Sequence, residues 1–180
     1  NAIEALEPLC PGGRGACGEP RGAWCRRLGR RGEGGRRGGP RAAMSPPRNG
    51  VLRWTGEGLA FSGQVGSGPI VTIDGDAKAG PSSMDSLLLG LMGCMSIDVL
   101  MILQKGRVTV NSLETRVEAE RAPEAPKYFT RVRLTFSLDG PLPEERSKVD
   151  RAIELSRDKY CSVLHSLRTD LELETVVEGV

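Results

Sequence analysis

The sequence predicts an α+β domain with the element order βββ-α-ββ-α-α-β. Three observations carry that reading: short β-prone runs broken by glycine turns, one long helix apolar on nearly every face, and a later strand of clean two-residue alternation.

Residues 51–55, 59–65 and 69–74 are the β-prone runs. Gly56-Glu57-Gly58 and Gly66-Ser67-Gly68 separate them, so they read as an antiparallel meander. The helix follows. Ser82 with Asp85 three residues on has the form of a capping box, and the acid suits the positive end of a helix. Gly106 is the stop. Leu87, Leu88, Leu91, Met95, Ile97, Val99, Met101 and Leu103 point around the whole helix. A helix without a polar face must be covered on all sides, by a central position or by a second subunit. Asp98, Gly90, Gly93 and Ser96 interrupt the apolar run, which speaks against a membrane span.

Residues 113–121 alternate weakly and 128–138 cleanly, the latter with Tyr128, Thr130, Val132, Leu134, Phe136 and Leu138 on one face. Arg131 and Arg133 on the other face, with Glu118 and Glu120 across the pair, read as a solvated charge pattern. Residues 143–159 form a charged amphipathic helix, 161–167 a short helix, and 171–177 a last strand. No internal repeat is present.

Composition divides the chain of 180 residues. Residues 1–43 carry nine arginines against four acids, a net +5, with 11 of the 24 glycines. Residues 44–180 carry 16 cations against 19 acids, a net −3. The first segment has too little apolar surface to offset the entropy of ordering and reads as a disordered tail. An arginine/glycine nucleic-acid arm and an organelle transit peptide are weighed for it. The favoured expectation is a start at Met44, with the tail a translated upstream stretch or an expression-vector remnant, ahead of a single domain over 44–180. Its Cys10, Cys17 and Cys25 fit no zinc spacing. The mildly acidic domain argues against a nucleic-acid partner. With no secretory signal or membrane span, a reducing, cytoplasmic setting is expected, where cysteines are reactive or buried rather than disulfide-bonded.

Two cysteines remain. Cys94 lies midway along the apolar helix, after Gly90 and Gly93, where another backbone can approach closely. Cys161 opens the short helix, whose N–H groups and dipole favour a thiolate there. A lone cysteine in an apolar helix is ordinarily an inert small hydrophobe. Asp98 stands one turn beyond Cys94, and a carboxylate disfavours a neighbouring negative charge. Activation of Cys94 therefore needs a cation from elsewhere in the fold. His165 reads as a packing or surface histidine, and a metal held by the two cysteines and His165 carries little weight.

The segment G-P-S-S-M-D-S-L-L-L-G-L-M-G-C-M-S-I-D-V, residues 80–99, resembles the signature helix of the OsmC/Ohr family of thiol hydroperoxide reductases. Its form is similar to a branch with G-P-S-P-M-E-L-L-L-x-A-L-G-G-C-x-x-x-D-V. Residues 151–163 resemble the second cysteine motif of that branch, and 126–130 and 138–140 also fit. The resemblance covers residues 51–178. It implies an OsmC-like fold, a central apolar helix with antiparallel sheet wrapped around it, in an intertwined homodimer. It implies that Cys94 is peroxidatic and Cys161 resolving, that the substrate is an organic hydroperoxide, and that a dithiol or protein-bound lipoyl group is the reductant. No metal or organic cofactor is implied. Relatives activate the thiolate with an early-strand Arg held by a Glu. Here Asp85, Arg53 and Lys78 are the candidates for those positions, and none is assigned by spacing alone. The second reading is an OsmC-like protein of little peroxidase activity that binds a small hydrophobic molecule in the dimer cleft.

Overall fold

The computed structural model describes residues 46–180. The expectations for residues 1–43 and for a start at Met44 lie outside the described residues.

β1 (Gly50–Trp54), β2 (Ala60–Val65) and β3 (Val71–Asp74) form the expected antiparallel meander. The loop after β3 is organised by Asp74. Its buried carboxylate accepts hydrogen bonds from the backbone N–H of Asp76, Lys78 and Ala79 at 3.0, 3.1 and 2.9 Å. The N–H groups of Ala79 and Asp76 hold that carboxyl below its ordinary range. Gly80 then passes so close to β3 that a Cβ there would stand 2.5 Å from the Thr72 carbonyl oxygen. Only glycine allows the approach that docks the helix start on the first sheet.

α1 (Ser83–Lys105) begins with the capping box: Ser82 Oγ accepts from the Asp85 N–H and the Asp85 carboxylate accepts from the Ser82 N–H, both at 3.2 Å. It ends at Gly106, whose N–H donates to the Ile102 carbonyl at 2.9 Å. Leu91, Met95, Val99 and Leu103 form its buried stripe, one residue per turn. By length and hydropathy alone α1 would suffice to cross a membrane. In this fold the buried stripe is instead part of the domain core, packed with the second sheet and second helix.

β4 (Ser112–Arg121) pairs antiparallel with β5 (Phe129–Asp139). β5 is the central strand, and its Val132, Leu134, Phe136 and Leu138 are all buried, as their alternation predicts. β6 (Glu172–Glu178) joins β5 in parallel, so the sheet that the resemblance implies to be antiparallel is mixed here. The crossover from β5 to β6 through the helical segment brings the last strand back in the same direction as β5, the usual consequence of an intervening helix. Ion pairs of Glu174 with Arg133 at 3.0 Å and Arg131 at 3.2 Å stitch β6 to β5 on the solvent face.

The expected helix over 143–159 is three pieces. A 3₁₀ turn (Pro143–Glu145) leads into α2 (Arg146–Leu155), and a π-helical turn (Ser156–Tyr160) follows. Val149, Ala152 and Ile153 bury α2 against the same core. The expected helix over 161–167 is only a 3₁₀ turn (Leu164–Ser166).

Coverage is uneven. Leu89, Ile97 and Met101 on the outer side of α1 are exposed, Ile97 by 60%. Nothing lies within 4 Å of where a Cβ would stand on Gly90 or Gly93. Val51, Leu52, Trp54, Val65 and Val71 of the first sheet are exposed as well. Within one chain, the all-round apolar helix is covered along a single stripe.

Candidate active site: a thiol pair beside a carboxylate

α1 carries Cys94 at mid-length, half-buried, and the chain leaving the π-helical turn carries Cys161, fully buried. Both are free thiols. Cys94 Sγ, Cys161 Sγ and an Asp98 carboxylate oxygen all lie within 4.8 Å of one another. Two cysteines far apart in sequence thus meet at one point.

The local structure explains the meeting. Cys94 and Asp98 are one helical turn apart, so they share a face. The π-helical turn widens the end of α2, and the Cys161 N–H closes back on the Ser156 carbonyl at 2.8 Å. This extra residue per turn shifts Cys161 inward, toward α1. Such insertions recur at functional sites. Ser156, the first residue of the turn, is itself fully buried, and its hydroxyl donates to Asp98 Oδ2 at 2.9 Å. Ser156 therefore fixes the carboxylate beside the two sulfurs. Sequence reading missed Ser156. Its only signal is its place five residues before Cys161, which becomes meaningful once a π turn is known.

Burial pushes the Cys161 thiol up to about 11. The Leu164 N–H, 3.4 Å from its sulfur, pulls the other way, and the neighbouring Cys94 pushes it further up. This corrects the expectation that a helix start favours a thiolate at Cys161. The Leu164 and Val163 N–H groups at a three-residue 3₁₀ turn do too little to outweigh full burial.

Asp85, Arg53, Lys78 and His165 are placed by other contacts. Asp85 is a cap at the start of α1, more than two turns from Cys94, and its carboxyl is lowered chiefly by the Ser82 hydroxyl. Arg121 is the cation that adds to this lowering. Arg53 sits on β1 opposite Ser62 and is exposed. Lys78 pairs with Asp76 at 3.5 Å on the surface. His165 is exposed, and its backbone N–H, donating to the Cys161 carbonyl at 3.1 Å, is its link to the site. Among the described residues, no ion pair reaches Asp98.

Two cavities open along α1. One, of about 420 Å³, has Met84 and Leu87 as its helix side, with Tyr128, Phe129, Leu167 and Leu171 opposite. Arg121, Lys127 and Arg168 edge it, and the Arg168 guanidinium stacks 4.2 Å from the Tyr128 ring centre. Leu87 lies two turns before Cys94 on the same helix face, about 10 Å along the axis. The other cavity, of about 340 Å³, is lined by Asp98, Met101, Ile102, Lys105, Leu155 and Tyr160.

Two three-stranded sheets, a central helix with a mid-helix cysteine and a second cysteine brought back to it define a two-sheet α+β protein with a paired thiol. The family model described as OsmC-like protein matches residues 75–176, and the chain belongs to that family. The protein YhfA of Escherichia coli K12 is 42% identical over 113 residues, which cover 62% of this chain and 83% of YhfA. The OsmC-like protein of Mycoplasma pneumoniae superposes with a TM-score of 0.61 at 16% identity, over 76% of this chain and 97% of that one. The organic hydroperoxide resistance protein OsmC of Legionella pneumophila superposes with a TM-score of 0.54 at 13% identity, over 77% of this chain and all of that one. These two structures share the fold.

Proposed function

We propose that the protein serves oxidative-stress defence by reducing organic hydroperoxides with Cys94 and Cys161. The observation that carries this reading is the pair itself: two free thiols within 4.8 Å, one half-buried and reachable, the other fully buried behind it. Membership of a family that includes organic hydroperoxide resistance proteins supports it.

Cys94 is the peroxidatic sulfur because it is the accessible one. Its thiolate attacks the terminal peroxide oxygen, the O–O bond breaks, and the alkoxide leaves as an alcohol after taking a proton. The Cys161 sulfur then attacks the resulting Cys94 sulfenic acid. Water leaves, and a disulfide forms. A disulfide needs its sulfurs about 2.05 Å apart, so one of the two must swing inward. The π-helical turn before Cys161 and the glycines before Cys94 are the segments that permit it. An external dithiol, such as a lipoyl group, returns the pair to thiols in a reducing, cytoplasmic setting.

The reading includes a homodimer. A second copy covers the exposed stripe of Leu89, Ile97 and Met101 and the outward aliphatics of the first sheet, and supplies a close-packed neighbour to Gly90 and Gly93.

A second reading rests on the apolar cavity of about 420 Å³ edged by Arg121, Lys127 and Arg168. In it the protein binds a small hydrophobic molecule and turns over little peroxide. Steady-state turnover of cumene hydroperoxide against hydrogen peroxide, with dihydrolipoamide as reductant, separates the two. The peroxidase reading expects catalysis that prefers the alkyl peroxide and vanishes in Cys94→Ser. Binding of the alkyl compound without consumption favours the second reading.

A further inference from the structure

The peroxide chemistry leaves Asp98 without a part. It is half-buried and held by a buried serine within 4.8 Å of both sulfurs. Two thiols and a carboxylate gathered at one point are a donor set for a divalent cation. Two thiolates and a carboxylate carry three negative charges in a partly buried space, and a divalent ion leaves only one.

We propose that, in the reduced protein, Cys94, Cys161 and Asp98 form a zinc site, and that zinc binding and disulfide formation exclude one another. Two sulfur donors select a soft or borderline ion such as Zn²⁺ over Mg²⁺ or Ca²⁺, which want oxygen. Tetrahedral zinc with Zn–S bonds of about 2.3 Å needs its sulfurs about 3.8 Å apart. The two sulfurs, within 4.8 Å of one another, need to close by about 1 Å or less for that geometry. The outer contacts of a metal site are already made. The Ser156 hydroxyl holds one Asp98 oxygen at 2.9 Å, and the Leu164 N–H points at the Cys161 sulfur at 3.4 Å. The cavity of about 340 Å³ that Asp98 lines gives water room on the carboxylate side to complete the fourth position.

The chemistry balances at both ends. Binding of Zn²⁺ to the two thiols releases two protons. Oxidation of the loaded site by a hydroperoxide consumes those two protons, forms the disulfide, an alcohol and water, and frees Zn²⁺. The site is then a redox-sensitive zinc holder, and zinc a competitor of the peroxidase cycle.

The test uses the full chain with Cys10, Cys17 and Cys25 replaced by Ser, so that two thiols remain. Zn²⁺ affinity is read by competition with a chromophoric chelator, and Co²⁺ serves as the spectroscopic probe. The expected result is one ion per chain, with a thiolate-to-cobalt absorption band and tetrahedral visible bands. Cys94→Ser and Cys161→Ser should each lose the band. Asp98→Ala should weaken zinc binding at least tenfold, and Ser156→Ala about tenfold through the outer shell. The disulfide form should bind none. A folded, reduced protein with no thiolate-to-cobalt band overturns the proposal, as does zinc affinity unchanged by Asp98→Ala or by oxidation. No peroxide enters these measurements. A protein that binds zinc but turns over no peroxide overturns the peroxidase reading alone.

Discussion

In the second sheet, β5 points Val132, Leu134, Phe136 and Leu138 inward, and α1 and α2 help to bury all four. In the first sheet, β1 offers Val51, Leu52 and Trp54, and all three remain exposed. α1 divides the same way. Its Leu91, Met95, Val99 and Leu103 stripe belongs to the finished half, and its Leu89, Ile97 and Met101 side to the unfinished one. The cysteine pair sits where the two halves meet, with Cys161 wholly inside the finished half and Cys94 at its edge. The contrast separates what one chain covers by itself from what it leaves exposed.

The largest effect expected from this contrast is in the finished half. Phe136→Ala should cost about 3–5 kcal/mol of unfolding free energy, because its fully buried ring leaves a cavity in a close-packed core. Trp54→Ala on the exposed β1 should cost far less in the monomer's own stability. Denaturant melts of the two variants, each extrapolated to infinite dilution, make the comparison.

Ile97→Glu should break the other half. A charge on the exposed side of α1 leaves the core untouched and prevents a second apolar face from covering it. Light scattering should show a folded monomer, against a dimer for the parent. A parent that is a monodisperse monomer would remove the dimer from the account.

A third, smaller effect concerns the two sulfurs. With Cys161 pushed up to about 11 by burial, its reactive thiolate is a minor species at neutral pH. Single-turnover disulfide formation should therefore quicken with pH, about tenfold per unit while the thiol is mostly protonated, and level off near the Cys161 value. Stopped-flow loss of the sulfenic acid measures it. The same shift acts on stability. The folded thiol holds its proton more tightly than the unfolded one, so its contribution is complete below the ordinary thiol value of about 9 and is lost as pH rises toward about 11.

The smallest effect is at Asp74, in the loop that ties the first sheet to α1. The backbone N–H groups of Ala79 and Asp76 lower its carboxyl. The folded form therefore binds a proton less readily than the unfolded one. Its contribution is present above the usual carboxylate range and lost as pH falls through it. Asp74→Asn should flatten the acid limb of a pH–stability curve.

Much of the fold was legible because local signals agreed with one another. The capping box Ser82–Asp85, the stop at Gly106 and the alternation around Phe136 all predicted the element found. The parallel placement of β6 was not legible. Strand direction depends on a crossover that no residue of 171–177 encodes. The breaking of the 143–159 helix into α2 and a π turn was hidden for a related reason. Arg157, Asp158 and Lys159 suit an α-helix as well as a π turn, and tertiary packing of Ser156 and Cys161 decides. At the site, the two cysteines stood out as the thiols of the domain, and Asp98 as a neighbour of Cys94 on one helix face. Ser156 did not, because a serine in a polar helix gives no sign of pointing into the core. The groove edged by Arg121 and Arg168 joins residues from three separated segments, and no spacing rule connects them.

The central claim is that Cys94 and Cys161 are a peroxide-driven redox pair, and counting thiols tests it most directly. The reduced full chain, with Cys10, Cys17 and Cys25 replaced by Ser, is treated with one equivalent of cumene hydroperoxide per chain and titrated under denaturing conditions. The account predicts a fall from two free thiols to none, one equivalent of cumyl alcohol, a Cys94–Cys161 peptide cross-link by mass spectrometry, and full recovery of both thiols with dihydrolipoamide. Two thiols persisting beside unconsumed peroxide would contradict it.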